Sequence, residues 1–236
     1  MLSLKQARVI DSVARCAEIS RAADQLNMSQ STVSRTLAAA EAILGVSLFR
    51  RGWSGAEPTS EGEIVAVSCG KAIHKIRNAE LQLGEFAQEP PRLEPYLEWR
   101  HLDAIDLVVK FGSASMAASH LNISQPAVSR ILKELDGYAR QPLFKRLRTG
   151  LAPLDSARYL SRLKGQLVAE LSGISVLIDD LSGEVTGRIS VGMLPFSDQG
   201  RGRKDPIWIN LLLSLRPMQP WREKALPTVF EADGQR

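Results

Sequence analysis

Residues Ser29–Leu37 read SQSTVSRTL, and 95 residues later Ser124–Leu132 read SQPAVSRIL, with no insertion between the two frames. The flanks recur at the same offset. Ser20, Ala22, Ala23, Leu26 and Asn27 return as Ser115, Ala117, Ala118, Leu121 and Asn122, and Leu48-Phe49 returns as Leu143-Phe144. A pattern held in register over that distance marks a duplicated domain.

Working outward in the first copy, Leu4, Ala7, Ile10 and Ala14, with Val13 beside them, recur at helical spacing and predict a helix running to about Ala17. Ser20 is the expected N-cap of a second, two-turn helix, whose inward face is Ala22, Ala23 and Leu26. Ser29 is the expected N-cap of a third, with Val33 and Leu37 inward and Gly45 placed to end it. Small alanines let two short helices cross closely, and a connection of about three residues makes them a helix-turn-helix. The outward face of the third helix is then Gln30, Ser31, Ser34 and Arg35. Gln pairs bidentately with adenine and Arg with guanine, while Ser reaches base edges or phosphate.

Leu48-Phe49 begins an apolar strand, and Arg50, Arg51, Gly52, Gly55 and Pro58 make a basic, turn-rich excursion that reads as a wing. Cations on such a hairpin meet the phosphate backbone and add affinity without reading sequence. From Thr59 to Phe86 a single long helix is expected, with Val65, Cys69, Ala72, Ile76, Ala79, Leu83 and Phe86 spaced as a coiled-coil-like seam. Its dimerisation residues are read as Val65, Cys69, Ala72, Ile76, Leu83 and Phe86.

The second copy follows a proline-rich linker, Gln88 to Pro95. Trp99, Leu102, Ile105 and Val109 take the first-helix role, and Gln125, Pro126, Ser129 and Arg130 form the outward recognition face. Pro126 falls in the first helical turn, where a missing N–H costs little. Lys145, Arg146 and Arg148 form the more basic of the two wings. Leu160, Leu163, Leu167, Leu171, Ile174, Ile178 and Leu181 give a second seam, with Leu167, Leu171, Ile174 and Ile178 read as its dimerisation residues and with Gly165 and Gly173 as weak points. The seams predict helix pairing, either within one chain as a pseudo-dimer or between chains as a homo-oligomer, and the pattern does not choose between them.

Beyond this, Arg188–Met193, RISVGM, alternates as a strand does, and Ile207–Leu215 reads as a short helix. That apolar run is far shorter than the ~20 residues of a spanning helix. With no secretory signal at the N-terminus, the expected compartment is the cytoplasm, without membrane contact. Two distant cysteines, Cys16 and Cys69, read as buried free thiols. The net charge of +4 and a pI near 9.2 suit a polyanionic partner. His74, His101 and His120 are scattered, and no nucleophile elbow, phosphate loop or paired metal-ligand spacing occurs. No enzyme, catalytic residue, metal or cofactor is expected.

The strings SRAADQLNMSQSTVSRTL with LFRR, and SMAASHLNISQPAVSRIL with LFKR, resemble the DNA-binding domain of LysR-type transcriptional regulators. The resemblance runs from about Leu2 to Phe86 and from about Leu97 to Leu181. It implies two winged helix-turn-helix units, each with a dimerising linker helix, whose Gln, Ser and Arg positions contact double-stranded DNA. GRISVGMLPF is similar to the first strand of the family's effector domain. Three departures stand out: there are two units instead of one, the sequence ends after that first strand, and LDSAR and Ala139-Arg140 replace PTSEG and Leu44-Gly45.

The expected fold is mainly α, with tandem winged helix-turn-helix domains and a short irregular C-terminal remnant. The expected boundaries are 1–58 and 59–87 for the first domain and its linker helix, and 88–95 for the interdomain linker. The second domain and its helix take 96–154 and 155–182, and 183–236 is a truncated effector-domain start. The expected function is sequence-specific DNA binding in transcription regulation without complete ligand sensing, which makes a small-molecule effector doubtful. The alternative is an interaction protein that pairs with a full-length relative and titrates it.

Overall fold

The computed structural model describes residues 1–52, 55–85, 87, 89–148 and 150–182. The first copy comprises α1 (Leu4–Cys16), α2 (Ile19–Leu26), α3 (Gln30–Leu44), β1 (Phe49–Gly52), β2 (Gly55–Pro58) and α4 (Ser60–Gly84). The second repeats it as α5 (Trp99–Phe111), α6 (Ala114–Leu121), α7 (Gln125–Ala139), β3 (Phe144–Leu147), β4 (Gly150–Pro153), α8 (Asp155–Ser172) and α9 (Ile174–Ser182). Every element from α1 to β2 has its counterpart 95 positions later at both ends.

Local chemistry sets these boundaries. Ser3 and Gln6 form a capping box at α1, and the Ser29 and Ser124 hydroxyls accept from the backbone N–H of Thr32 and Ala127. Asn27 and Asn122 take the left-handed conformation that closes α2 and α6, at φ of 52° and 53°. Ser20 is not the N-cap of α2. The left-handed turn at Ala17 starts that helix two residues earlier, with Glu18 at the cap and Ser20 inside the first turn. In the second copy the equivalent of Glu18 is Ser113, which does cap, accepting from Met116 N–H.

Each recognition helix is tied to its wing by a carboxylate. Glu41 accepts from Leu48 N–H at 2.8 Å, and Asp136 from Leu143 N–H at 2.9 Å. Burial pushes the Asp136 carboxyl up, and the Leu143 N–H opposes that shift. Each wing is a two-stranded antiparallel hairpin with the same register, Phe49 opposite Pro58 and Phe144 opposite Pro153. In the first helix of the second copy Val109 packs, partly buried, on the same cluster as Leu102 and Ile105, while Val108 is fully buried in a second cluster with Val128.

The long helices depart from expectation at their ends. Thr59 caps α4 by accepting from Gly62 N–H at 2.9 Å, and α4 ends at Gly84, with Phe86 outside the described residues. At the 95-residue offset Thr59 corresponds to Leu154, which cannot cap, so LDSAR aligns one residue later than PTSEG suggests. The second linker helix is interrupted at Gly173, where a glycine's backbone freedom weakens propagation, and becomes α8 and α9. Residues 183–236, including the expected strand and short helix, also lie outside the described residues.

Met1–Ile178 form one compact unit. Within it α4 packs on α1, α8 packs on α5, and α4 and α8 pack on each other. Val65, Cys69, Ala72, Ile76 and Leu83 share a buried cluster with Leu167, Leu171, Ile174 and Ile178. The pair runs antiparallel. Lys75 Nζ lies 3.2 Å from Glu170, while Leu83 near the end of α4 lines a groove with Asp155 and Tyr159 at the start of α8. A fully buried leucine or isoleucine contributes about 1.5–3 kcal/mol, and a partly exposed ion pair about 0–1 kcal/mol. Packing of the seam therefore supplies most of the stability of this junction, and the ion pair a small share.

The interdomain linker is strapped down along α4. Glu80 accepts from the backbone N–H groups of Leu93 and Glu94 at 2.5 and 2.8 Å, and Arg77 forks onto the Glu94 carboxylate at 2.6 and 3.1 Å. Arg8 of α1 donates to the Glu94 carbonyl at 3.0 Å, and Leu93 is fully buried. Trp99 Nε1 donates to the Leu2 carbonyl at 2.9 Å, joining the start of the second copy to the start of the first.

Candidate nucleic-acid interface

The N-terminal turns of α3 and α7 carry matched polar faces. On α3, Gln30, Ser31 and Arg35 are exposed and Ser34 is half-buried; on α7, Gln125, Pro126 and Arg130 are exposed and Ser129 is half-buried. Their inward neighbours Val33 and Val128 are fully buried, so the side-chain directions of the outward set follow from the helical period. Several of these groups are held by their own helix. Arg35 Nε donates to the Ser31 carbonyl at 3.2 Å, the Ser29 and Ser31 hydroxyls lie 3.0 Å apart, and Gln125 Nε2 donates to Ser129 Oγ at 2.8 Å.

The faces are alike without being identical. Pro126 replaces the Ser31 hydroxyl with an apolar ring, which removes one donor and acceptor from the second face. Lys133, exposed one turn beyond Arg130, stands where the first copy has Ala38. The 95-residue offset by itself exposes this difference between the two faces.

Both wings are anchored by one main-chain bond to the end of the first helix of their copy. Ala56 N–H donates to the Ala17 carbonyl, and Leu151 N–H to the Gly112 carbonyl, each at 2.8 Å. Arg50 is exposed on β1, opposite Glu57 in the strand register, and Arg51 follows it on the same strand opposite Ala56. In the second wing Lys145 faces Ala152 instead, and Lys145, Arg146 and Arg148 are all exposed. The second hairpin therefore presents its cations without a carboxylate across the ladder, and its local field is the stronger of the two.

Among the described residues no cluster of three or more His, Cys, Asp or Glu could hold a metal ion, and no helix is long and apolar enough to cross a membrane. Cys69 is buried, its thiol pushed up to about 12 by burial and then by Asp11, whereas Cys16 is only half-buried.

A polar recognition helix on a tight helix-turn-helix, flanked by a cationic hairpin, defines the winged helix-turn-helix class, and this chain has two. The family described as "Bacterial regulatory helix-turn-helix protein, lysR family" matches residues 4–63 and again 99–158, together just over half of the chain. The chain belongs to that family, one of transcription regulators and not of enzymes. The HTH-type transcriptional regulator GalR of Pseudomonas putida is 31% identical over 201 residues, covering 85% of this chain and 49% of that protein. A match of that length necessarily crosses from one copy into the other. The HTH-type transcriptional regulator AdmX of Serratia plymuthica is 35% identical over 99 residues, 42% of this chain and 33% of that protein. A crystal structure of the CbnR DNA-binding domain in complex with DNA is 28% identical, covers 32% of this chain and 87% of that one, and has a TM-score of 0.31. The chain thus spans about half or less of the length of these two regulators.

Proposed function

We propose that this chain binds double-stranded DNA sequence-specifically with both of its heads, as a transcription regulator in which one polypeptide supplies the pair of reading units. The observation that supports this reading is the antiparallel packing of α4 on α8, the two linker helices that each follow one of the matched heads. Two heads so related read an inverted pair of half-sites, because the operator mirrors the symmetry of the protein. Gln30, Ser34 and Arg35, with Gln125, Ser129 and Arg130, read base edges; Ser31 and Pro126 make the two half-sites differ. Arg50, Arg51, Lys145, Arg146, Arg148 and Lys133 supply phosphate contacts.

The pairing seam supports a one-chain pseudo-dimer. Its residues on α4 are buried in the same cluster as those on α8 and α9. The alternative, capture and titration of a full-length relative through these seams, has less support, because they already cover each other within the chain. Selection of bound DNA from a random pool tests the proposal. It is expected to return an imperfect inverted repeat bound by one chain of 25.9 kDa. Recovery of a single half-site, or of no sequence, refutes it.

A further inference from the structure

Lys75 and Glu170 are the same position of the repeat, 95 residues apart, and they meet across the junction at 3.2 Å. Antiparallel helices that touch at equivalent positions are related by a local two-fold axis at that point, as in an isologous dimer interface. One turn to either side, that axis would place Ala72 on the side of Ile174 and Ala79 on the side of Leu167, and all four belong to one buried cluster. On α4 these positions are small and the axial residue is cationic; on α8 and α9 the equivalents are large and the axial residue is anionic.

Like-with-like pairing between chains fails on both counts. Two α4 helices would place Ala72 towards Ala79 and Lys75 against Lys75, leaving unfilled space beside repelling ammonium groups. Two α8–α9 segments would force Leu167 towards Ile174 and Glu170 against Glu170, overfilling the seam beside repelling carboxylates. Complementary volume and charge, with a penalty on each wrong pair, are the two means by which an interface rejects alternatives.

We propose that the linker helices are built for unlike pairing, with Lys75, Ala72 and Ala79 selecting Glu170, Leu167 and Ile174, so that a first-copy head always stands beside a second-copy head. This rests on the one-chain reading of the heads given above. It makes the unequal faces at Ser31 and Pro126 a fixed property of every complex, and excludes assemblies that display two identical heads.

Cross-linking of the full chain tests it. In a Cys16→Ser background the buried Cys69 thiol stays unreactive, and cysteines placed as Lys75→Cys, Glu170→Cys or both are treated with a short bismaleimide at micromolar protein. The double variant is expected to cross-link internally and remain a monomer, and neither single variant is expected to give a covalent dimer. A dimer from either single variant overturns the proposal. A covalent dimer from the double variant alone upholds unlike pairing and overturns the one-chain reading instead. Charge is tested separately by thermal unfolding. Lys75→Glu and Glu170→Lys are each expected to lower Tm by about 2–4 °C, and their combination to recover it. Losses that simply add in the combined variant overturn the selection.

Discussion

Gly55 stands so close to Ala17 that a Cβ on it would lie 2.3 Å from the Ala17 carbonyl oxygen, the oxygen that accepts from Ala56 N–H. The same contact recurs in the second copy between Gly150 and Gly112, at 2.5 Å. The wing reaches its place because two backbones touch, and only glycine, at φ of +117° and +136°, permits it.

Gly55→Ala and Gly150→Ala are therefore expected to destabilise the protein by about 2 kcal/mol or more, combining left-handed strain with a clash against rigid backbone. Gly45→Ala is the control. Its φ is +75° with open space around it, and its counterpart Arg140 takes a φ of 54°, so a cost of only about 1 kcal/mol is expected. Urea denaturation of the three variants checks the ranking.

Arg35→Ala and Arg130→Ala are each expected to weaken binding to the selected operator by about 1–3 kcal/mol and to relax preference in their own half-site only. Lys145→Ala and Lys133→Ala are expected to weaken binding to all sequences alike and to flatten the salt dependence by about one ion each. Fluorescence anisotropy on operators with one half-site scrambled distinguishes the two classes.

Glu80→Ala strips the acceptor from two backbone N–H groups of the linker, at Leu93 and Glu94. A loss of about 1–3 kcal/mol is expected, since buried donors left without a partner carry their full desolvation cost. Glu80→Gln keeps an acceptor oxygen and is expected to recover part of it. Chemical denaturation measures both.

His101 occupies the position that Gln6 holds in the first copy, and caps in the same way: Glu98 N–H donates to its Nδ1 at 3.0 Å, with Nε2 3.2 Å from Glu134. Protonation would put a hydrogen on the nitrogen that must accept. Burial, opposed by the Glu134 hydrogen bond, holds the folded-state value below the ordinary histidine value of 6.5. The unfolded chain therefore takes up the proton first, so the contribution of His101 is intact above pH 6.5 and is lost as pH falls below it. His101→Gln, copying Gln6, is expected to flatten that acid limb; equal pH profiles for the two proteins would refute the assignment.

The duplication, the recognition helices, the wings and the linker helices were legible in the sequence, because their determinants are local: helical periods, Ser caps and turn residues act within a few positions of themselves. Ser20 has the residue type of a cap but does not cap, because the nearby Ala17 takes an αL turn that nothing in its residue type announces. Gly173 was visible as a weak point in the second seam, but its effect as a break was not. What only the tertiary structure decided is non-local. Periodicity states that a seam needs a partner and is silent about which one. The choice of α8 for α4, the meeting of Lys75 with Glu170, and the hold of Glu80, Arg77 and Arg8 on the linker all join residues far apart in sequence, where contact depends on how whole elements pack and not on the residues' own preferences.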